Sequence, residues 1–261
     1  MRKIIRENKN VKKMTFLITA AYIFMIIMNF LANFLPLNDV STEVISERYE
    51  NIFTPAGFTS AIWGLVYLAL GILLIYLIIG VIKGHERPVK IVERTGLPFT
   101  ISSVLNGLWI FAWHYDQISL SLILMLGILF SLIWLYRSLK NLPFNIDRYL
   151  LPFSIYLGWI SVATVANFTV FSVYIEWGQL GLADEFWLAF LLLAVLLIAA
   201  YMLYNQNDVV FNLVILWALA GIFAARLQEA EGLNMAGLST LLAGVVLVGI
   251  IINYYRLKYR F

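Results

Sequence analysis

Four short rows of residues are of the right types to hold a bound molecule. Tyr156, Trp159, Ala163 and Asn167 recur through YLGWISVATVAN at helical spacing. Asn106, Trp109 and Trp113 fall at i, i+3 and i+7, Trp63 and Tyr67 are four apart, and so are Asn29 and Asn33. Residues three, four and seven apart share a face of an α-helix, so each row forms one stripe. The chemistry open to these types is recognition. Indole and phenol rings offer flat apolar surface, and a few amides fix orientation in a mostly apolar pocket. Acid–base or nucleophilic catalysis lacks its parts: there is no nucleophile with a matched base, no metal-binding cluster and no phosphate-binding glycine loop.

The elements that must carry these rows are membrane helices. The chain has 261 residues, 62% of them hydrophobic and only 13% charged, with a mean hydropathy of +0.87. Crossing a membrane takes about 20 mostly apolar residues. Eight stretches qualify, roughly 14–35, 58–82, 97–114, 118–136, 149–174, 186–204, 209–225 and 235–254. Alternating ten-residue strands of the barrel type are absent, so helices are the remaining way to satisfy the backbone in lipid. The sequence predicts an all-α polytopic bundle of eight spans. It divides into a five-span core, 14–175, which holds the polar and aromatic rows, and a plainer three-span extension, 186–256. The basic N-terminus and first apolar run resemble a signal peptide, but the run is too long for one, and the reading is a retained first span.

Charge sets the expected orientation. Of 18 Lys and Arg, six precede the first span, four lie in KGHERPVKIVER, three between Arg137 and Arg148, and three in the tail RLKYRF. Those sixteen fall on one side of an eight-span chain, leaving only Arg48 and Arg226 on the other. The positive-inside rule then puts both termini in the cytoplasm. It also brings the four rows to similar depth, in the outer half of the membrane.

Two readings of the rows stay open. Trp and Tyr gather at membrane interfaces, which accounts for Trp134, Trp177 and Trp187, and intramembrane Asn is often glue between helices. Shared depth and shared faces point instead to a pocket. His114 reads as an interfacial histidine at the outer surface, and Glu43, Glu47 and Glu50 as one face of a short helix in the outer loop, placed to act as a lid. Small residues Ala220, Gly221, Ala224 and Ala225 read as helix-packing pairs. Ionisable groups are nearly absent from the spans, which counts against charge-coupled transport.

At the four rows the chain resembles the tryptophan-rich sensory protein family, also called the translocator protein, TspO or peripheral benzodiazepine receptor family. Phe53-Thr54-Pro55-Ala56 resembles its W-x-P-P signature, with Phe for Trp and Ala for the second Pro. Trp63 and Tyr67 resemble its V-W-x-x-L-Y, and Asn106 to Trp109 its N-x-x-W. Tyr156, Trp159, Ala163, Thr164 and Asn167 resemble its fifth-span pattern, though Ile155 stands where that family has Pro. The likeness covers about residues 14–174. It implies a five-helix bundle around a pocket for tetrapyrroles, sterols or synthetic hydrophobic ligands, a cell membrane of bacterial type, and often a homodimer. The sterol pattern is not carried over, because Tyr174 is followed by Ile175, Glu176 and Trp177.

The expected ligand residues are therefore Trp63, Tyr67, Asn106, Trp109, Trp113, Tyr156, Trp159, Ala163 and Asn167. The expected partners are a flat hydrophobic molecule such as a porphyrin, and the lipid bilayer. No cofactor, metal or nucleic acid is expected. Sensing or transport is the leading role. A transporter of an apolar or amphipathic solute is the alternative, and a membrane enzyme acting on a tetrapyrrole or lipid is the least favoured reading.

Overall fold

A computed structural model describes residues 2–34, 38, 45–46, 48–49, 51–181, 183–227 and 233–258. Among these there are eight long helices and no strand: α1 Arg2–Phe34, α2 Ile62–Ile82, α3 Glu86–His114, α4 Ile118–Lys140, α5 Asp147–Tyr174, α6 Asp184–Gln206, α7 Val209–Leu227 and α8 Leu233–Lys258. Each is long and apolar enough to cross a membrane. The protein is an all-α polytopic membrane protein. Glu43, Glu47 and Glu50, with the lid expected of them, lie outside the described residues, as does the side chain of Asn33.

Helix ends depart from the expected spans where charged residues continue a helix beyond the apolar stretch. KGHERPVKIVER is not a loop. The turn is confined to Lys83, Gly84, at φ +71°, and His85, and α3 is helical from Glu86. Pro88 falls in its first turn, where a missing N–H does no harm, and Glu86 pairs with Lys90 one turn on. At 29 residues α3 is about 44 Å long, well beyond the roughly 30 Å of a hydrocarbon core. Hydropathy locates the crossing, not the whole helix.

The chain forms two compact units, Met1–Thr42 with Trp63–Phe153, and Glu43–Ile62 with Ser154–Phe261. In the first unit α3 is the enclosed helix, flanked by α1 and α4. Two-thirds of its most apolar window is buried (67%), against 28% for α1, so α1 keeps most of its surface for lipid. Glycines set the closeness of the α1–α3 contact. A Cβ on Gly96 would lie 2.3 Å from Met14 Cγ, and one on Gly107 would lie 2.5 Å from Phe24 Cε1. Small residues that let backbones approach are the usual device where lipid supplies no hydrophobic drive between helices.

In the second unit α7 and α8 form a hairpin that α6 joins, and the 3-10 turn Gly57–Ala61 lies on α7. The α6–α7 turn is two residues long. Asn207 takes the left-handed conformation at φ +53° and closes α6. Asp208 then caps α7, its Oδ1 accepting from Phe211 N–H at 2.9 Å.

Candidate functional site

In the first unit the structure brings together five of the nine expected ligand residues. Their rings form a ladder: Tyr67 stacks on Trp63 at 5.5 Å between centroids, Trp63 meets Trp109 at 5.9 Å, and Trp109 meets Trp113 at 6.0 Å. The ladder crosses from the first turns of α2 to the last turns of α3. Each i, i+4 step lies along one helix, and the Trp63–Trp109 step joins the two. Trp109 and Trp113 are buried, while Trp63 and Tyr67 are half-buried.

Asn106 sits one turn before Trp109 and is fully buried. Its Oδ1 accepts from Asn29 Nδ2 of α1 at 2.8 Å, and the same Asn29 amino group donates to Met25 O at 2.9 Å. Gly107, next along α3, is what admits α1 at this level, through Phe24. Asn29 of α1 thus meets Asn106, the first residue of the α3 row. Sequence reasoning missed a further member, Tyr22. Its hydroxyl donates to the backbone O of Tyr67 at 2.8 Å, and it packs where a Cβ on Gly71 would fall, 2.7 Å from its Oη. A carbonyl in mid-helix is already engaged along its own helix, so Tyr22 adds a second bond that ties α1 to the ladder. The signal available in the sequence was the Gly four residues after Tyr67.

The other four residues follow one another along α5 in the second unit. Tyr156, Trp159 and Asn167 are buried and Ala163 is half-buried. Asn167 Nδ2 donates back to Ala163 O at 3.0 Å. The same helix carries a second stripe that the sequence reading did not separate from the first. Ser154 Oγ donates to the buried Asp208 Oδ2, and Gly158 lies against α7, where a Cβ would come within 3.0 Å of Val214 Cβ and 3.2 Å of Phe211 O. YLGWISVATVAN is therefore two-faced.

The Phe53-Thr54-Pro55-Ala56 segment is also placed in the second unit. Phe53 is fully buried, and Ala56 N–H donates to Gly221 O of α7 at 3.0 Å. Trp217 Nε1 donates to Thr59 O at 3.1 Å. Gly221, expected to pack one helix on another, instead makes room for this segment: a Cβ there would lie 2.0 Å from Thr59 Cγ2.

Three further expectations are corrected. His114 is fully buried rather than at a surface, with its Nδ1 2.8 Å from Ile110 O. Trp187 does not face lipid. It is buried in a four-ring cluster with Phe168, Trp177 and Phe190, while Trp134 is exposed as a belt residue should be. The last three spans are not plain, because Asn212, Ser239 and Asn253 are fully buried. Asn212 Nδ2 donates to Asp208 O at 2.9 Å, and both amide atoms of Asn253 are unsatisfied.

One cavity lies in the first unit, lined by Ile18, Leu70, Leu74, Thr95, Gly96 and Phe99 among others. At about 10 Å³ it has room for about one water molecule. None of the nine expected residues lines it, so it is a packing gap between α1, α2 and α3 and plays no part in the reading of the ladder.

Compared with known proteins, the sequence matches the family described as TSPO-like protein over residues 15–252. The match runs through all eight helices, whereas the motifs quoted above end at Tyr174. Among curated proteins and among solved structures, none matches the chain.

Proposed function

The chain belongs to the TSPO-like protein family, and from that premise we propose that it binds a flat hydrophobic molecule of the tetrapyrrole type, in a sensing or transport role. The observation that carries the proposal is the ladder Tyr67–Trp63–Trp109–Trp113, with the Asn29–Asn106 pair one turn from Trp109. Four rings spaced 5.5–6.0 Å apart present π-surface for a flat molecule. With both termini cytoplasmic, as the basic residues favour, this site opens in the outer half of the membrane.

Porphyrin titrated into the detergent-solubilised protein should quench tryptophan emission saturably. Trp109→Leu should weaken the affinity about 3- to 10-fold, the worth of one aromatic contact. The α5 row is tested separately by Trp159→Ala combined with Asn167→Ala. A folded Trp109→Leu protein that binds porphyrin as the native chain does would remove the ladder from the site. Unchanged binding in the folded double variant would do the same for the α5 row.

Transport is the second reading, favoured by the buried amides Asn212 and Asn253 in α7 and α8. Buried amide atoms left unsatisfied, as Asn212 Oδ1 and both amide atoms of Asn253 are, are costly in an apolar surround, and such residues in membrane helices often mark a solute path. Bound porphyrin that never crosses a proteoliposome membrane would count against it.

A further inference from the structure

A second cluster stands apart from the ladder, at the end of the first unit that carries the α2–α3 turn and the start of α5. Tyr76 Oη and Tyr149 Oη are 3.0 Å apart, and their rings lie 5.5 Å apart between centroids. Phe144 meets Tyr149 edge-on at 6.4 Å, and the Arg87 guanidinium sits over the Phe144 ring with Cζ 5.6 Å from its centroid. Arg148 immediately precedes Tyr149, and both arginines act electrostatically on the Tyr76 hydroxyl. All five side chains are exposed or half-buried.

We propose that this corner binds the phosphate of an anionic phospholipid, with Arg87 and Arg148 as the cations and the Tyr76 and Tyr149 hydroxyls as neutral donors. Two hydroxyls bonded to each other use one hydrogen between them, which leaves the other to donate to an outside acceptor. The ring beneath Arg87 holds its guanidinium close to the tyrosine pair, and a planar fork of donors suits phosphate oxygens. Arg87 and Arg148 are the second residues of α3 and α5, so two positive helix ends add to the field. Two acids are near. Glu86 is paired with Lys90, and Asp147 is exposed beside Arg148. Against them stand Lys83, Arg87, Lys90 and Arg148, so the balance stays positive.

Position selects a lipid over a free anion. Tyr76 lies on the same stripe of α2 as Ile72, Ile75 and Ile79, all exposed along an apolar helix. Acyl chains covering that stripe would bring their headgroup to the tyrosine pair. Basic clusters between helix ends are known to act on anionic headgroups in this way.

The test is native mass spectrometry of the full chain released from micelles holding equal phosphatidylglycerol and phosphatidylcholine of the same acyl chains. The native protein should retain phosphatidylglycerol in preference. Arg87→Gln with Arg148→Gln should cut that retention about thirtyfold, from two cations at a membrane surface. Arg256→Gln with Lys258→Gln removes the same charge elsewhere and should leave the preference intact. Tyr76→Phe with Tyr149→Phe should lower retention with every charge in place. Inorganic phosphate should not displace the lipid. Equal retention of the two lipids by the native chain overturns the proposal, as does displacement by phosphate. So does an unchanged preference in a folded Arg87/Arg148 variant, or equal losses from the two charge variants. If the arginine variant does not fold, the tyrosine pair decides: an undiminished preference there sinks the site.

Discussion

Replacing Gly221 by Ala tests how the segment from Phe53 to Ala61 is held on α7. At an open helical position the change stabilises, because Ala exceeds Gly in helix propensity by about 1 kcal/mol. At Gly221 the new Cβ would lie 2.0 Å from Thr59 Cγ2, 3.2 Å from Thr59 Cβ and 3.1 Å from Pro55 Cβ. Thr59 cannot simply turn away. It is buried, its Oγ1 donates to Ala56 O, and its own carbonyl accepts from Trp217. The segment must lift instead, which stretches the Ala56 N–H bond to Gly221 O. Overpacking costs about 1–3 kcal/mol, and a weakened backbone bond about 1 more. Set against the propensity gain, the net loss should be about 1–3 kcal/mol. Gly244 on α8 is the control, since its Cβ would meet nothing within 4 Å. Gly244→Ala should be neutral or stabilising by up to about 1 kcal/mol. Thermal unfolding of both variants in one detergent, followed by tryptophan emission, should separate them by several degrees, at about 2–4 °C per kcal/mol. Adding Thr59→Ser to Gly221→Ala deletes the clashing Cγ2 while keeping the hydroxyl, and should recover part of the loss. If Gly221→Ala melts at or above the native chain, the docking contact as drawn is wrong.

Other substitutions probe single contacts. Ser154→Ala removes the hydroxyl that donates to buried Asp208 and should cost about 1–3 kcal/mol; Ser161→Ala, which loses only a bond to its own helix at Leu157 O, should cost much less in the same melt. Tyr22→Phe should cost about 0.5–1.5 kcal/mol through the bond to Tyr67 O. Gly71→Ala alone should be destabilising, with its Cβ 2.7 Å from Tyr22 Oη, yet be tolerated when Tyr22 is already Phe; additive losses in that double-mutant cycle would refute the contact. Asn29→Leu should cost about 0.6–2 kcal/mol, the range for amides between membrane helices, and no change in melting would mean the pair bears no load.

The fold was legible because hydropathy and charge act over whole spans. All eight helices fall where apolar runs demand them, and errors of extent arise where a helix continues outside the apolar stretch, as at Glu86–Arg94. Averaging hid what single residues do. Asn212, Ser239 and Asn253 are isolated or paired polar residues in apolar runs, so a windowed scale passes over them, yet each is fully buried. Gly221 was read by its spacing with other small residues, which says that something approaches closely but not whether a helix or a turn does so. The burial of Asp208 has no signal in hydropathy, because the two-residue turn that buries it depends on Asn207 adopting a left-handed backbone.

Periodicity likewise gave the face of each row but not its neighbour. For the amides, the two open readings, glue and recognition, are separable by asking which half of each side chain is used. Asn29 donates from one amino group to Met25 O and to Asn106 Oδ1. A backbone oxygen can only accept, so the nitrogen of Asn29 must face it, and Asn106 must then turn its oxygen toward α1. Both donors of Asn29 are spent on structure, and its part is glue. Asn106 gives its oxygen to the same joint and is fully buried, so it too holds α1 to α3, and the four rings are what the ladder offers a ligand. Breaking the pair should therefore cost stability rather than recognition. An Asn29→Leu protein that still folds should quench with porphyrin as the native chain does, and a clear loss of affinity in that folded variant would refute this division of labour.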